Sequence, residues 1–388
     1  MSTEESAVEN SSKGADANLT RQGSVVAGMT LLSRISGFAR DIVLSYLFGA
    51  TQLADMFFVA LRIPNFFRRL FAEGAFNQAF VPVLVRFKEN GRAQLLGFLA
   101  PLSGLFSLIM LFVVLAGVVF APALTAVFAP GFLDNEAQFA QTADLVRITF
   151  PYLGFISIAA YAGAVLNAHN RFAMPAFAPV LLNVSLIGSA LFALSGWALA
   201  EGQTAVQWVA WGVALAGVLQ MGFLLVPVRR LGLLPKPGLD RQHPGVRQVG
   251  KLLVPAVFSA SVGQINALVN TILASTLMTG SISWLYYADR LMELPLGLVA
   301  VALGTVMLPH LSRLAAAEDT SGFSKTVEWG IQMGLLIGLP AAVALYLLAE
   351  PLSATVFMSF GSGAMTLHDI RMIGLALELF AVALPGFV

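Results

Sequence analysis

Ionisable side chains are concentrated in one otherwise apolar stretch, SRISGFARDIVLSYLFGATQLADMFFVALRIPNFFRRLFAEGAFNQAFVP, running from Ser33 to Pro82. It holds Arg34, Arg40, Asp41, Asp55, Arg62, Arg68, Arg69 and Glu73 among Leu, Ile, Val, Phe, Ala and Gly at the density of a membrane segment. An ionisable residue at bilayer depth costs between about 3 and more than 10 kcal/mol, so it normally faces a partner or a wet cavity. Five arginines against two aspartates and one glutamate leave the stretch with a net charge of plus two, which suits an anionic ligand better than a self-neutralising network. The competing role for any one arginine is to sit at a helix end and reach its head up to the lipid headgroups. Asp41, directly after Arg40, is expected to be a local partner of Arg34 or Arg40.

The elements that position these groups are set by composition. With 57% hydrophobic and 11% charged residues and a mean hydropathy of +0.81, the chain has less than half the charge, about 25%, of a soluble domain. The fold class is therefore all-α and integral to the membrane, a polytopic helical bundle. No cysteine is present, which excludes disulfides and thiolate metal sites. No metal ligand set is assigned, and no nucleic-acid partner is expected. Residues 1–24 are polar and expected to form a disordered cytoplasmic tail. They lack the basic start and cleavable apolar core of a signal peptide.

Taking about 20 apolar residues per crossing, ten spans are expected, at 25–48, 53–86, 94–121, 141–167, 176–198, 206–228, 248–278, 283–311, 327–348 and 370–388. Pro64 and Gly74, Pro151 and Gly154, Pro255, Pro295 and Pro340 interrupt five of them. In a membrane such breaks line a cavity, act as hinges or are passive kinks. Fourteen lysines and arginines lie in the tail and in one set of loops, and none in the opposite set, 49–52, 122–140, 199–205, 279–282 and 349–367. That asymmetry places the amino terminus and the basic loops in the cytoplasm. The eight remaining cations, Arg34, Arg40, Arg62, Arg68, Arg69, Arg147, Arg290 and Arg371, are all arginine and lie within or at the edges of spans. Arginine's planar fork suits phosphate oxygens.

The longest polar interruption, RRLGLLPKPGLDRQHPGVRQVGK, separates six spans from four. Ile63-Pro64 leading to Val81-Pro82 in the second span is echoed by Leu294-Pro295 leading to Leu308-Pro309 in the eighth. Repeated halves with the substrate between them are the usual plan of alternating-access transporters. The expected domains are the tail 1–24, an N-lobe 25–228 with six spans, a cytoplasmic linker 229–247 and a C-lobe 248–388 with four. A matching second half would hold six spans, so the second of two pseudo-repeated lobes around a central cationic cavity is expected to be incomplete, stopping inside the tenth span.

The segments SRISGFARDIVLSYLFGA, ADMFFVALRIPNFFRRLFAEGAFNQAFVP, PAFAPVLLNVS (175–185) and SWLYYADRLMELPLGLVAVALGTVMLPHLS (283–312) resemble the MviN/MurJ family of lipid II flippases, within the multidrug/oligosaccharidyl-lipid/polysaccharide exporter superfamily. The resemblance covers the chain from about residue 24 to its end. It implies fourteen helices, of which the last four are not in this sequence. It also implies movement of undecaprenyl-diphosphate-MurNAc-pentapeptide-GlcNAc (lipid II) from the cytoplasmic to the periplasmic leaflet of the inner membrane for peptidoglycan synthesis. The positions it marks are Ser33, Arg34, Arg40, Asp55, Arg68, Ser283, Arg290 and Glu293. The family's sodium site draws on later helices, so no ion ligand is carried over.

Residues and resemblance together give electrostatic capture followed by rocking of the lobes. Arg34, Arg40, Arg68 or Arg69, and Arg290 are expected to hold the diphosphate, with Asp55 and Glu293 orienting or partly neutralising them when the cavity is empty. No cofactor is expected, and a monovalent cation or the membrane potential is left open as the driving force. Expected partners are lipid II, membrane lipids and the cell-wall synthesis machinery. Two other readings are an exporter of the same superfamily for drugs or O-antigen lipids, and a membrane enzyme acting on a lipid pyrophosphate. An enzyme would need a base or nucleophile within reach of the phosphates. His169, His243, His310 and His368 all fall in or near loops, with no paired acidic motif. Tyr286 and Tyr287 could stack on a sugar but suit an interfacial aromatic belt better.

Overall fold

The computed structural model describes residues 2–195, 204–358 and 363–387, and every regular element in them is helical. In chain order the α-helices are α1 (Ser2–Phe48), α2 (Gln52–Arg68), α3 (Ala75–Glu89), α4 (Arg92–Val119), α5 (Ala121–Phe128), α6 (Glu136–Thr149), α7 (Tyr152–Ala168), α8 (Ala173–Leu194) and α9 (Ala205–Arg230). They continue with α10 (Pro244–Ser275), α11 (Ser281–Ala316), α12 (Thr320–Leu347), α13 (Ala349–Met358) and α14 (Leu367–Phe387). A π-helical turn, Arg69–Gly74, joins α2 to α3, and a 3-10 turn, Pro130–Asp134, follows α5. Side chains are described from Gly23 onward, so the expected tail, apart from its last two positions, lies outside them. Parts of the expected loops 199–205 and 349–367 also lie outside the described residues.

Among the described residues, six helical stretches are long and apolar enough to cross a membrane: α4, α6 with α7, α8, α9, α12 and α14. The two parts of α10, Pro244–Ser261 and Gly263–Ser275, meet at 44° and make a seventh if taken as one broken span. The other three expected spans, 25–48, 53–86 and 283–311, fall on α1, on α2 through α3, and on α11. These three carry Arg34, Arg40, Arg62, Arg68, Arg69 and Arg290. The chain is an all-α, multi-pass membrane protein.

The helices form two compact units. The first comprises residues 1–43 and 56–276, the second residues 44–55 and 277–388. In the first, α9 packs on α7 and α8, and α10 packs on α3 and on the π turn. The helix that follows the polar linker thus belongs, by packing, with the helices that precede it. In the second, α11, α12 and α13 pack around α14.

Lipid tails are as apolar as leucine, so helix association inside a membrane rests on close packing and hydrogen bonds rather than on burial of grease. In the first unit Gly217 of α9 faces Tyr152 and Phe155 of α7, and Ser185 of α8 donates to the Gly212 carbonyl at 2.8 Å. Phe76, Phe80, Phe106 and Tyr161 stack with centroids 4.4–6.5 Å apart. Such pairs contribute about 0.5–1.5 kcal/mol each beyond their area. The outward faces are not polar: Phe112 of α4 is 74% exposed, with Leu111, Leu115 and Val119 beside it. That is a lipid-facing surface. In the second unit Gly330, Gly334, Gly338 and Ala342, one turn apart along α12, are buried.

Candidate functional site

In the first unit the charged stretch is built around Arg40. Its Nε and Nη2 donate to Asp41 Oδ1 at 2.9 and 2.7 Å, and its Nη1 donates to Asn183 Oδ1 at 3.0 Å. Arg40 is 5% and Asp41 1% exposed. The fork geometry on one carboxylate oxygen is what a planar guanidinium gives and an ammonium does not. The Asn183 amide then donates to the Ser33 carbonyl at 3.0 Å and to Ser36 Oγ at 2.9 Å, which ties α8 to α1. Asp41 is thus the partner of Arg40, the second of the two arginines it was expected to accompany.

Arg34 lies on an exposed part of α1, between Leu31, Leu32 and Ile35, which are exposed as well. Among the described residues it has no hydrogen bond or ion pair. Arg62 donates to Thr271 Oγ1 of α10 at 2.8 Å. Arg68 is half-buried and donates to Asn65 Oδ1 at 3.1 Å, while Arg69 is exposed and opens the π turn. Gly74 fits the turn, since a Cβ there would stand 2.8 Å from the Arg69 carbonyl oxygen. Single π turns are frequent at functional sites. Glu73 has no described side chain.

In the second unit Asp55 holds the start of α11. Its carboxylate accepts from the Gly280 N–H at 2.6 Å, the Ser283 N–H at 2.9 Å and the Ser283 hydroxyl at 2.6 Å, and Asp55 and Ser283 are 2% and 0% exposed. Orphan amides at a helix N-terminus favour a carboxylate by hydrogen bonding and by the helix dipole. Gly280 has a φ of 97°, and a Cβ there would lie 2.7 Å from the Ala50 carbonyl oxygen, so the position requires glycine. One residue after Ser283, Trp284 donates from its indole to Asp369 Oδ1 at 2.9 Å, and Asp369 Oδ2 accepts from the Thr366 N–H and hydroxyl at the start of α14.

Further along α11, Arg290 pairs with Glu293 at 2.5 Å and lies 5.9 Å from the Tyr286 ring centre. Ser283 and Arg290 are seven residues apart, two turns on the same face, or about 10 Å along the axis. The structure therefore brings together Asp55 with Ser283 and Arg290 with Glu293, and links Ser33 to Arg40 through Asn183. Sequence reasoning gave no role to Asn183, Thr271, Trp284 or Asp369. For Asn183 a signal existed: it is a lone amide in the apolar run PAFAPVLLNVS. No group of three or more His, Asp or Glu able to hold a metal ion occurs among the described residues.

A family model described as "Lipid II flippase MurJ" matches residues 44–388. The chain is similar to the probable lipid II flippase MurJ of Haemophilus influenzae, 41% identical over 374 residues that cover 93% of this chain and 72% of that protein. Similarity to the lipid II flippase MurJ of Burkholderia cenocepacia is 39% over 376 residues, 96% of this chain and 71% of the relative. A solved structure of lipid II flippase MurJ in an inward closed conformation superimposes with a TM-score of 0.79 at 26% identity, over 93% of this chain and 73% of that one. An inward-facing multidrug resistance MATE family transporter of the MOP superfamily gives a TM-score of 0.66 at 14% identity, over 93% and 81%, a likeness of fold alone.

Proposed function

The chain belongs to the lipid II flippase MurJ family, and from that membership we propose that it carries lipid II from the cytoplasmic to the periplasmic leaflet of the inner membrane by alternating access. The observation that carries this reading is the family match over residues 44–388. A flippase is a transporter rather than an enzyme. It moves a headgroup across the bilayer while the polyprenyl tail stays in lipid, and it makes or breaks no covalent bond. The basic loops support a cytoplasmic amino terminus, and the product would be delivered to the cell-wall synthesis machinery outside.

A diphosphate bears about two negative charges, which charge-assisted bonds from guanidinium groups match in shape and sign. In this reading Arg34, Arg68 or Arg69, and Arg290 bind it directly. Arg40, committed to Asp41 and Asn183, shapes the α1 face that presents Arg34 and Ser33. Glu293 neutralises Arg290 when no substrate is bound. Asp55 and Ser283 fix the start of the helix that carries Arg290.

The test is equilibrium binding of lipid II to the purified full chain. Saturable binding displaced by undecaprenyl diphosphate, and much less by undecaprenyl monophosphate, is the expected result. Displacement by amphipathic cationic drugs with no response to undecaprenyl diphosphate would favour the drug-exporter reading instead.

A further inference from the structure

We propose that a cleft in the second unit, between the last turns of α11 and the first half of α12, binds the headgroup of an anionic phospholipid. The cleft encloses about 240 Å³ and is lined by Met307 and His310 of α11 and by Lys325, Thr326 and Trp329 of α12. Its origin is a packing contact: buried Gly330 admits the Met307 side chain, so the helices approach closely there. Beside this contact the two helices leave a gap, lined by residues of both.

The wall has two characters. Met307 and the Trp329 ring are apolar, whereas the Lys325 ammonium, the His310 ring N–H and the Trp329 indole N–H are donors. Among the described residues, no carboxylate lines the cleft. Thr326 spends its hydroxyl proton on the Gly322 carbonyl at 2.9 Å, leaving only lone pairs. Among the described residues, neither Lys325 nor His310 has a hydrogen bond or ion pair. Leu308 and Phe323 are exposed alongside, 67% and 39%. The wall of the cleft is therefore mainly apolar, with Lys325 adding a positive charge. Free phosphate would use only the polar donors, whereas a glycerophospholipid also uses the apolar wall through its acyl chains. The flanking segment 312–326 belongs to the basic set of loops, on the side where the leaflet carries anionic lipid. Trp329 is the kind of residue that sits at headgroup level. This site does not depend on lipid II being the transported substrate.

The chain is reconstituted in vesicles of phosphatidylcholine containing phosphatidylglycerol or phosphatidylcholine brominated on its acyl chains. The quenching of Trp329 emission is read as the difference between parent and Trp329→Phe. Brominated phosphatidylglycerol is expected to half-quench this emission at a mole fraction about fivefold or more below that of brominated phosphatidylcholine. The double variant Lys325→Ala/His310→Ala should lose the preference, and Lys325→Arg should keep it. Parent-like thermal unfolding of both variants shows that the change is one of binding. Equal quenching by the two lipids, an undiminished preference in the double alanine variant, or displacement by inorganic phosphate would overturn the proposal.

Discussion

Asp55→Ala is expected to cause a loss of stability matched, among the charged positions, only by Arg40→Ala. Three donors, the Gly280 and Ser283 amides and the Ser283 hydroxyl, converge on its carboxylate in a site closed to solvent. Alanine leaves all three without an acceptor at the first turn of α11. A hydrogen bond to a charged group contributes about 1.5–3 kcal/mol and an orphaned buried donor costs about 1–3 kcal/mol. The bonds share one acceptor and do not add, so the net loss should be about 3–5 kcal/mol. Asp55→Asn should fall between, because it keeps one carbonyl oxygen but turns an NH2 toward the donors. The measurement is the thermal unfolding midpoint of the purified chain in detergent. A parent-like midpoint for Asp55→Ala would show that the helix start does not rest on this carboxylate.

The second large effect is expected at Arg40. Arg40→Ala takes two donors from the buried Asp41 carboxylate and one from Asn183. Breaking a buried ion pair by deleting one partner costs about 3–5 kcal/mol, because the remaining charge is uncompensated. Arg40→Lys keeps the charge but replaces the planar fork by a single nitrogen, and should recover only part of the loss. Asn183→Ala should cost about 1–3 kcal/mol. The double variant Arg40→Ala/Asn183→Ala should cost less than the sum of the singles, since the two side chains touch. Strict additivity in the unfolding midpoints would show that the Arg40–Asn183 bond contributes nothing.

Much of this was legible in the chain. Within the described residues the ten apolar runs fall on helical segments, because backbone groups in lipid must be satisfied within the segment. Pro64 with Gly74, and Pro255, fall near a π turn and in the bent α10. Asp41 beside Arg40 read correctly as a local pair because the residues are adjacent. What stayed hidden is long-range. Asp55 reaches Ser283 across 228 positions, and no local pattern announces that a carboxylate in one helix caps another. Expected to balance arginines, it accepts from two backbone amides and the Ser283 hydroxyl. The polar linker marks a boundary along the chain, yet α10, which follows it, packs on α3, because a loop's polarity reports its exposure and not which helices it separates. Trp284 read as part of a family segment, and its indole bond to Asp369 depends on α14 arriving beside α11.

The central claim is that arginines within the spans bind the diphosphate, and Arg34 and Arg290 test it most directly. Arg34 is exposed and Arg290 half-buried, so replacing them should leave the unfolding midpoint close to that of the parent, unlike Arg40. Anchoring at a headgroup level needs only length and charge, so lysine would serve there as well as arginine. Diphosphate binding needs the planar fork, and each lost charge-assisted bond should cost about 1–3 kcal/mol, or five- to 150-fold in affinity. The measurement is the lipid II dissociation constant of Arg34→Lys, Arg34→Ala, Arg290→Lys and Arg290→Ala against the parent, each with its unfolding midpoint. The account predicts binding weakened about tenfold or more in both alanine variants, with lysine restoring only part of it at either position. Parent-like dissociation constants in both alanine variants would contradict it and make these two residues structural charges.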